Sequence, residues 1–237
     1  MISVAVVTST QGRETLRQCI ASVQNQTYKA THYVFAHGKE YSDKVQSLVS
    51  SDTVAVYLPC ANGGGGLAMA PVFAAAPYLI NEDLIFYLDD DNYYDPDHIE
   101  SLVTLMQEHD LGWAYSLRKI VDNEGGYICD DNCESLGMQP NASGHYLVDN
   151  SCYAVRADIA RKHSHAWYVP VVSDRSFQAS LMQAKIKCGT TGKHSVSYRL
   201  SHDGSGGMSK QAFINNNEFM RSKFTDFPWT KRQIWKY

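Results

Sequence analysis

The sequence predicts an α/β protein whose parallel sheet is covered by helices on both faces. Strand-like and helix-like patterns alternate over residues 1–90, the connections between them are short, and the run at residues 84–88 is apolar throughout. Strands that alternate with helices over short connections pair in parallel, and a strand with both faces covered shows no polar alternation. Because such sheets bind ligands at the carboxyl ends of their strands, the site is expected in the turns that follow the strands.

Each element of the first half follows from a local pattern. Residues 2–8 are a β-branched apolar run, which is typical of a strand. Apolar residues recur at i, i+3, i+4 and i+7 from Leu16, so residues 14–23 are expected to form a helix with one buried face. The other expected elements are strands over residues 32–36, 54–58 and 84–88 and helices over residues 44–49 and 67–79.

The second half predicts fewer elements. Asp95 suits an N-cap and Pro96 suits the first helical position, so a helix is expected from there through Met106. Residues 122–144 are rich in Gly, Asn and Asp and predict a long flexible loop, and long loops inside a compact domain are more often functional than not. Strands are expected over residues 112–117, 145–148 and 195–200, with a helix over residues 174–184.

The aromatic and basic tail at residues 224–237 is expected to dock on its own domain, with a partner subunit or a membrane surface as alternatives. The chain carries 21 Lys and Arg against 25 Asp and Glu, a net charge of −4 that argues against a nucleic-acid partner. No apolar run reaches the roughly 20 residues that span a bilayer, and the N-terminus lacks the basic region of a signal peptide. We therefore expect a cytoplasmic enzyme or binding domain, with attachment to the inner face of the membrane left open.

The sharpest chemical signal is the run Asp89-Asp90-Asp91 directly after an apolar strand. Neighbouring carboxylates repel each other by up to about 4 kcal/mol per close pair, so a cation is expected at this strand end. Hard oxygen ligands suit Mn²⁺ or Mg²⁺, which take one or two carboxylates and leave positions for phosphate oxygens. The alternative is a solvated acidic turn ahead of the helix at Asp95.

Several segments, in this order and spacing, match the pattern of one family. Residues 6–13 match its opening strand and Pro-Thr-x-Asn-Arg motif, residues 22–28 match the helix end near Asn-Gln-Thr, and residues 86–91 match its strand-plus-acid motif. Residues 173–177 match its Glu-Asp motif, and residues 62–64 and 96–98 match two further positions. The chain thus resembles the GT-A-fold glycosyltransferases, in particular the large family-2 group of inverting enzymes.

The resemblance implies a Rossmann-like GT-A fold with a mixed, mainly parallel sheet in a single domain over residues 1–237. Residues 1–91 would bind the nucleotide sugar, and residues 92–237 the acceptor, with a flexible loop at 122–144 and a C-terminal tail at 201–237. It also implies a metal-dependent inverting hexosyltransferase of polysaccharide biosynthesis. Such an enzyme moves a sugar from a nucleoside diphosphate sugar, with UDP favoured, to a hydroxyl of a glycan or lipid-linked acceptor.

The resemblance further implies a role for each matched residue. Asp174 would be the general base, because inversion requires attack from the side opposite the leaving diphosphate; the alternative is a helix N-cap. Asp89, Asp91 and His202 would ligate Mn²⁺ or Mg²⁺, with Asp91 favoured over Asp89 for the diphosphate metal. The nucleotide sugar would bind Thr8, Ser9, Thr10, Arg13, His37, Asn62, Gly63, Asp89 and Asp90.

Two departures from the family pattern affect the donor site. His37 stands where the family often has paired Asp residues that contact the base, so the nucleotide is not fixed by the resemblance. The Ala-Arg-Asn of the third helix is absent, so the cation near the diphosphate is expected from Arg13, Lys193 or Arg199.

Two rival functions are open at this stage. A sugar-phosphate nucleotidyltransferase would need a Gly-rich, Arg- or Lys-bearing loop after the first strand, and residues 8–13 do not supply one. A non-catalytic nucleotide-sugar or carbohydrate-binding domain would not need a base, and the presence of both Asp91 and Asp174 argues against it.

Overall fold

A mixed sheet of ten strands runs through the molecule in the computed structural model, which describes residues 2–61, 69–169, 172–200 and 207–236. Its strands are short, apart from two in the second half that span nine and twelve residues. In chain order they are β1 (Val4–Thr10), β2 (Thr31–His37), β3 (Thr53–Leu58), β4 (Leu84–Tyr87), β5 (Tyr93–Tyr94), β6 (Trp113–Val121), β7 (Tyr127–Asp130), β8 (Tyr153–Arg156), β9 (Cys188–Arg199) and β10 (Gln233–Trp235).

Helices connect most of these strands. The buried positions of the first helix are Leu16, Cys19, Ile20 and Val23, which confirms the predicted apolar face. In chain order the α-helices of the described residues are α1 (Leu16–Gln24), α2 (Ser42–Leu48), α3 (Ala70–Ala75), α4 (His98–His109), α5 (Ala157–His163), α6 (Ser173–Gln183) and α7 (Lys210–Lys223).

The sheet is parallel in its first half and mixed in its second. Strands β3, β2, β1 and β4 pair in parallel in that order. Strand β8 is antiparallel to both of its neighbours, β4 and β6, and β6 pairs in parallel with β9. Consequently the carboxyl ends of β1, β2, β4, β6 and β9 and the beginning of β8 lie at one edge of the sheet. We call it the carboxyl edge.

An aromatic core fixes the start of α6 relative to the sheet. Trp167 stacks on Phe177 of α6 with ring centroids 4.4 Å apart, and Tyr87 of β4 and Phe73 of α3 pack against the same indole at 5.0 and 5.4 Å. All four rings are buried. Aromatic side chains contribute large apolar areas to a core, so α6 begins at a well-defined position beside the carboxyl edge.

The predicted elements of the first half are confirmed with shifted ends, and the mixed, mainly parallel sheet that the family resemblance implies is confirmed as well, where the pattern of the first half alone predicts a parallel one. Strands β7, β8 and β10 were not expected, nor were helices α5 and α7; β7, β8 and β10 are three or four residues long and have no clear alternation. The strand expected at residues 145–148 is absent from the structure. Residues 145–148 make isolated hydrogen bonds instead of a strand ladder. Gly137 N–H donates to the carbonyl of Leu147, and Val148 N–H donates to Gln178 Oε1.

The expectation that Asp95 caps a helix is wrong. Helix α4 begins at His98 after Asp97, and neither aspartate makes a side-chain cap. Both carboxylates are bound elsewhere, because Asp95 accepts from Lys119 Nζ at 2.7 Å and Asp97 accepts from Lys193 Nζ at 2.8 Å.

The expectation of one flexible loop over residues 122–144 is also wrong. Strand β7 forms within it and pairs antiparallel with β6. After β7, Asp131 is fully buried and its carboxylate accepts from the backbone N–H groups of Cys133, Glu134 and Ser135 at 2.8 to 3.1 Å. An Asp that binds three backbone donors fixes the turn it begins, so this segment is part of the folded domain.

The C-terminal tail docks on its own domain, as the sequence predicted. Trp229 is buried, its Nε1 donates to Asn132 Oδ1 at 2.8 Å, and Phe227 stacks on its indole with centroids 4.9 Å apart. Strand β10 then pairs antiparallel with β9 at the edge of the sheet. Among the described residues, no helix is at once long and apolar enough to span a bilayer.

We expect Trp229→Ala to lower the free energy of unfolding by about 3–5 kcal/mol, because a buried indole is replaced by a cavity and a hydrogen bond is lost. Urea denaturation followed by circular dichroism measures the change. Phe224→Ala is the control, since that ring belongs to the same tail but is 37% exposed. Phe224→Ala should lower the free energy of unfolding by less than half as much as Trp229→Ala. Equal losses would contradict the docked position of the tail.

Candidate active site

The turn after β1 is tied to the acidic run that follows β4. Thr10 Oγ1 donates to Asp90 Oδ2 at 2.6 Å and accepts from the backbone N–H of Gly12 at 2.9 Å. Gly12 has a φ of +78°, a conformation that glycine adopts without steric cost, so the chain turns sharply here. The Thr10 hydroxyl therefore holds both the Asp90 carboxylate and the turn at Gly12 in place.

The prediction that Thr8 lines the nucleotide pocket is wrong. Its side chain is fully buried and its hydroxyl lies 2.9 Å from His32 Nε2 and 3.7 Å from Cys19 Sγ of α1. Alternate residues of a strand point to opposite faces, so Ser9 faces away from α1. The Ser9 hydroxyl is buried and has no hydrogen-bond partner within the described part of the chain.

His37 ends β2 at the carboxyl edge, next to the end of β1. Burial lowers the pKa of His37 from its ordinary value of 6.5, against the charge of Glu40, so the imidazole is neutral at pH 7. Its Nδ1 is buried and lacks a partner among the residues that the structure describes. A neutral imidazole offers one donor and one acceptor, which are the groups needed to bind a nucleobase edge.

The three carboxylates of the acidic segment, residues 89–92, point in different directions. Asp89 Oδ1 accepts from Asn150 Nδ2 at 2.7 Å, and Asp91 Oδ2 accepts from Arg13 Nη1. Asp90 accepts from Thr10, as described above. Asp90 and Asp91 are therefore held from the end of β1 and the turn after it, where Arg13 also lies 3.6 Å from Asp90, whereas Asp89 is held by Asn150.

Burial raises the pKa of all three carboxyl groups. The pKa of Asp89 lies well above its ordinary value because of burial and then the charges of Asp91 and Asp149. Burial and the charge of Asp91 raise the pKa of Asp90 to about 6, against the attraction of Arg13. Burial also raises the pKa of Asp91, against the same guanidinium. Burial therefore disfavours the ionised forms of the three carboxyl groups, and a bound cation or cationic complex would favour them.

Two of the three candidate cations lie at this segment. Arg13 reaches Asp91 from the turn after β1, with a side chain that is 59% exposed. Arg199, at the end of β9, donates its Nε to the backbone carbonyl of Asp91 at 2.9 Å. Lys193 does not reach the acidic segment, because it lies six residues earlier on β9 and pairs with Asp97 at the start of α4.

The acidic segment fits a divalent metal only in part. Carboxylate oxygens are the ligands that Mn²⁺ and Mg²⁺ prefer, and these ions commonly use one or two of them together with substrate phosphates. In the described ranges, no group of three His, Cys, Asp or Glu side chains is placed to hold a metal. The residues present therefore suit a site that a diphosphate completes, not a preformed cage.

Asp174 lies in the first turn of α6, at the start fixed by the aromatic core. Its Oδ1 accepts from the backbone N–H of Arg175 at 2.7 Å, and Val172 holds the N-cap position, so Asp174 is not the cap. The phenol of Tyr153, the first residue of β8, donates to the backbone carbonyl of Asp174 at 3.5 Å, which places it at the carboxyl edge. Burial and then the charge of Asp149 raise the pKa of Asp174 to about 6.

The turn at residues 149–151 supports the acidic segment and was not predicted. Asn150 binds Asp89, while Ser151 Oγ accepts from the backbone N–H of Asp89 at 3.3 Å and from Asn92 Nδ2 at 3.1 Å. An Asp-Asn-Ser run is typical of a tight turn, but nothing in the sequence indicates which segment such a turn contacts.

The predicted nucleotide-sugar ligands Asn62 and Gly63 and the predicted metal ligand His202 lie outside the described residues.

A family model identifies the chain. The model of glycosyl transferase family 2 matches residues 3–137, more than half of the sequence, including β1 and the acidic segment. The chain belongs to glycosyl transferase family 2. An uncharacterized protein of Haemophilus influenzae is 40% identical over 57 residues, which are 24% of this family-2 chain and 37% of that protein, so the match spans little more than a third of the relative's length.

Crystal structures of S. aureus TarS share the fold of this family-2 protein. TarS residues 1–349 with UDP-GlcNAc have a TM-score of 0.64 at 11% identity, over 96% of this chain and 68% of TarS 1–349. A second TarS structure has a TM-score of 0.60 at 10% identity, over 96% of this chain and 40% of that one. The UDP complex has a TM-score of 0.57 at 12% identity, over 95% and 72% of the two chains. The expected GT-A fold is therefore confirmed.

We expect Asp174→Asn to stabilise this family-2 protein at pH 8 and much less at pH 4. The folded-state pKa of about 6 exceeds the ordinary 3.8, so stability is lost as the pH rises through this interval, and Asn removes that loss. The gain above pH 6 should be about 1–3 kcal/mol. Thermal denaturation at both pH values measures it, with Asp52→Asn on the surface as the unchanged control. An equal gain in stability at both pH values would contradict the raised pKa of Asp174.

Proposed function

We propose that the protein is an inverting hexosyltransferase that moves a sugar from a nucleoside diphosphate sugar to a hydroxyl of a glycan or lipid-linked acceptor. The observation that carries the proposal is the pair of separate acidic sites at the carboxyl edge. One is the acidic segment after β4, and the other is Asp174 on α6. Inverting displacement needs this separation, since the base and the leaving diphosphate act on opposite sides of the sugar.

The donor side takes the nucleotide. Ser9 and His37 offer buried polar atoms near the ends of β1 and β2, and Arg13 adds a positive charge that can contact a diphosphate. We favour UDP, and the TarS structures support this choice because their crystals contain UDP-GlcNAc and UDP. The link between TarS and this chain is the shared fold, and it supports a nucleotide sugar as the donor.

We also propose that Asp91 and Asp89 hold Mn²⁺ or Mg²⁺ together with the donor diphosphate. The metal, when bound, offsets the negative charge that develops on the departing nucleoside diphosphate. The raised pKa values of both carboxyl groups are consistent with this role, because a bound divalent cation would stabilise the ionised forms that burial disfavours. His202 is proposed as a further ligand on the basis of the family resemblance.

Asp174 is proposed as the general base. Its carboxylate takes the proton of the acceptor hydroxyl while that oxygen attacks the anomeric carbon and the bond to the diphosphate breaks. A pKa of about 6 suits this task, because the group is ionised at pH 7 and is a stronger base than an ordinary aspartate.

Family membership favours this proposal over the two rivals, a nucleotidyltransferase and a non-catalytic binding domain. The proposal includes a cytoplasmic location and a role in polysaccharide biosynthesis. For a lipid-linked acceptor it also includes attachment to the inner face of the membrane.

Nucleotide binding tests the donor and the metal. We expect UDP with Mn²⁺ to raise the melting temperature more than GDP or dTDP, since a ligand at 100 times its Kd stabilises a protein by about 2.7 kcal/mol. EDTA should remove most of the shift. Asp91→Asn should weaken the shift, whereas Glu124→Gln, an exposed carboxylate on the turn after β6, should not. Equal UDP affinity in EDTA, measured by calorimetry, would exclude the proposed metal.

Transfer kinetics test the base. We expect Asp174→Asn to keep UDP binding within about twofold and to lose transfer by at least a hundredfold, the usual scale for removing a general base. Asp158→Asn is the matched control, because that residue also lies in the first turn of a helix but is exposed and pairs with Arg156. Turnover near wild type in Asp174→Asn would end the assignment.

A further inference from the structure

Arg118 lies at the centre of a buried ion cluster that the proposed mechanism does not use. It belongs to β6 and is 2% exposed. Its Nε donates to Asp131 at 2.8 Å, its Nη1 donates to Asp149 at 2.5 Å, and its Nη2 donates to Glu134. The guanidinium also lies over the ring of Tyr198, 4.1 Å from the centroid. We call Arg118 and its three carboxylates the Arg118 cluster.

Burial of one cation with three carboxylates is weak evidence of a stabilising role. The desolvation of buried charges often costs as much as their attraction returns, and apolar replacements of such groups can be neutral or stabilising. Asp131 is already satisfied by three backbone N–H groups in its own turn. The cluster is therefore better explained by where it places Asp149 than by the stability it provides.

Asp149 connects the cluster to the donor side. One carboxylate oxygen accepts from Arg118, and the other accepts from the backbone N–H of Ser151 at 2.9 Å. Ser151 and Asn150 then hold the backbone and the carboxylate of Asp89. Hydrogen bonds and the backbone of the turn at residues 149–151 thus connect Arg118 to Asp89, whose carboxylate we propose as a metal ligand.

The charge of Asp149 also affects the pKa of Asp174 on the acceptor side. This charge is the largest influence after burial that raises the pKa of Asp174, while Arg175 and Arg118 lower that pKa. Tyr153 of β8 donates to the backbone carbonyl of Asp174. Within the described residues, the groups given as influencing or contacting Asp174 are thus Arg175 of its own helix, Arg118 of β6, Tyr153 of β8 and Asp149 of the turn before β8.

We propose that Arg118 is a positioning residue of the transfer reaction, which acts through Asp149 and the turn at residues 149–151 on Asp89 at the donor side. The inference rests on the proposed function, because that function assigns Asp89 to the donor side. Arg suits this position, since its planar fork binds several carboxylates at once, whereas the ammonium of Lys cannot.

Glu134 provides a matched control. It binds the same guanidinium as Asp149, but its side chain is 23% exposed, and no hydrogen bond given by the structure joins its carboxylate to residues 89–92 or 149–151. If the cluster only stabilises the fold, neither Asp149→Asn nor Glu134→Gln changes the donor KM of the folded protein. A positioning role requires the two variants to differ.

Steady-state kinetics with a UDP-sugar make the comparison. We expect Asp149→Asn to raise the donor KM about tenfold, the effect of losing one charge-assisted hydrogen bond. It should also move the acid limb of the kcat profile to lower pH, because the negative charge that raises the pKa of Asp174 is gone. Arg118→Lys should reproduce the higher donor KM. Glu134→Gln should change neither quantity.

Ser151→Ala removes the side chain that binds the backbone N–H of Asp89 and leaves the Arg118 cluster unchanged. It therefore tests the contact with Asp89 even where Asp149→Asn fails to fold. We expect a higher donor KM with an unchanged acid limb. Wild-type donor KM values in Arg118→Lys and Ser151→Ala, or an Asp149→Asn variant that differs from Glu134→Gln only in melting temperature, would overturn the proposal.

Amide hydrogen exchange keeps this result separate from the proposed function. A wild-type protein that transfers no sugar would refute the proposed function, and exchange at residues 89–92 would still be measurable. We expect faster exchange of the Asp89 amide in Asp149→Asn and Ser151→Ala than in Glu134→Gln. Equal exchange in the three variants would overturn the positioning role by itself.

Discussion

The candidate site depends on negative charge that the protein alone does not neutralise. Three adjacent carboxyl groups lie at the end of a buried strand, and a fourth, Asp149, lies close enough to raise the pKa of Asp89 further. Arg13 is the main cation that opposes this at Asp90 and Asp91. Folding must bring these groups together at a cost, since each raised pKa disfavours the ionised form of the native protein. Such a site is poised for a positively charged partner, and proteins commonly lose stability where they function.

Sheet topology is what concentrates the charge. Parallel strands bring the ends of β1, β2 and β4 to one edge, which is the usual ligand edge of an α/β sheet. The antiparallel strand β8 then enters between β4 and β6, so the turn before it meets the acidic segment from the opposite chain direction. This insertion delivers Asn150 and Ser151 to Asp89 and the charge of Asp149 to Asp174. A fully parallel sheet would have placed that turn at the other edge.

Local patterns sufficed for the parts of the site that local rules govern. The acidic run and Asp174 were predicted because carboxylates after an apolar strand, and an aspartate in a matched motif, are visible in a few neighbouring residues. Thr8 was assigned wrongly because the motif does not say which face of β1 each residue occupies. The turn at residues 149–151 could not be placed, since its contacts with Asp89 join residues about sixty positions apart. The pairing of β8 with β4 and β6 is what brings this turn next to Asp89.

Arg118 illustrates a signal that was present but could not be interpreted from the sequence. The strand predicted at residues 112–117 ends before Arg118, but β6 continues through Arg118 and Lys119. A buried arginine contradicts the pattern of a buried strand, and such contradictions concentrate at functional sites. Its meaning depends on three carboxylates from two later segments, none of which is near it in sequence. A guanidinium surrounded in this way is rigid, and the turns that it joins carry groups to both the donor side and the acceptor side. The turn that contacts Asp89 also carries Asp149, whose charge raises the pKa of Asp174, so this one turn influences both acidic sites.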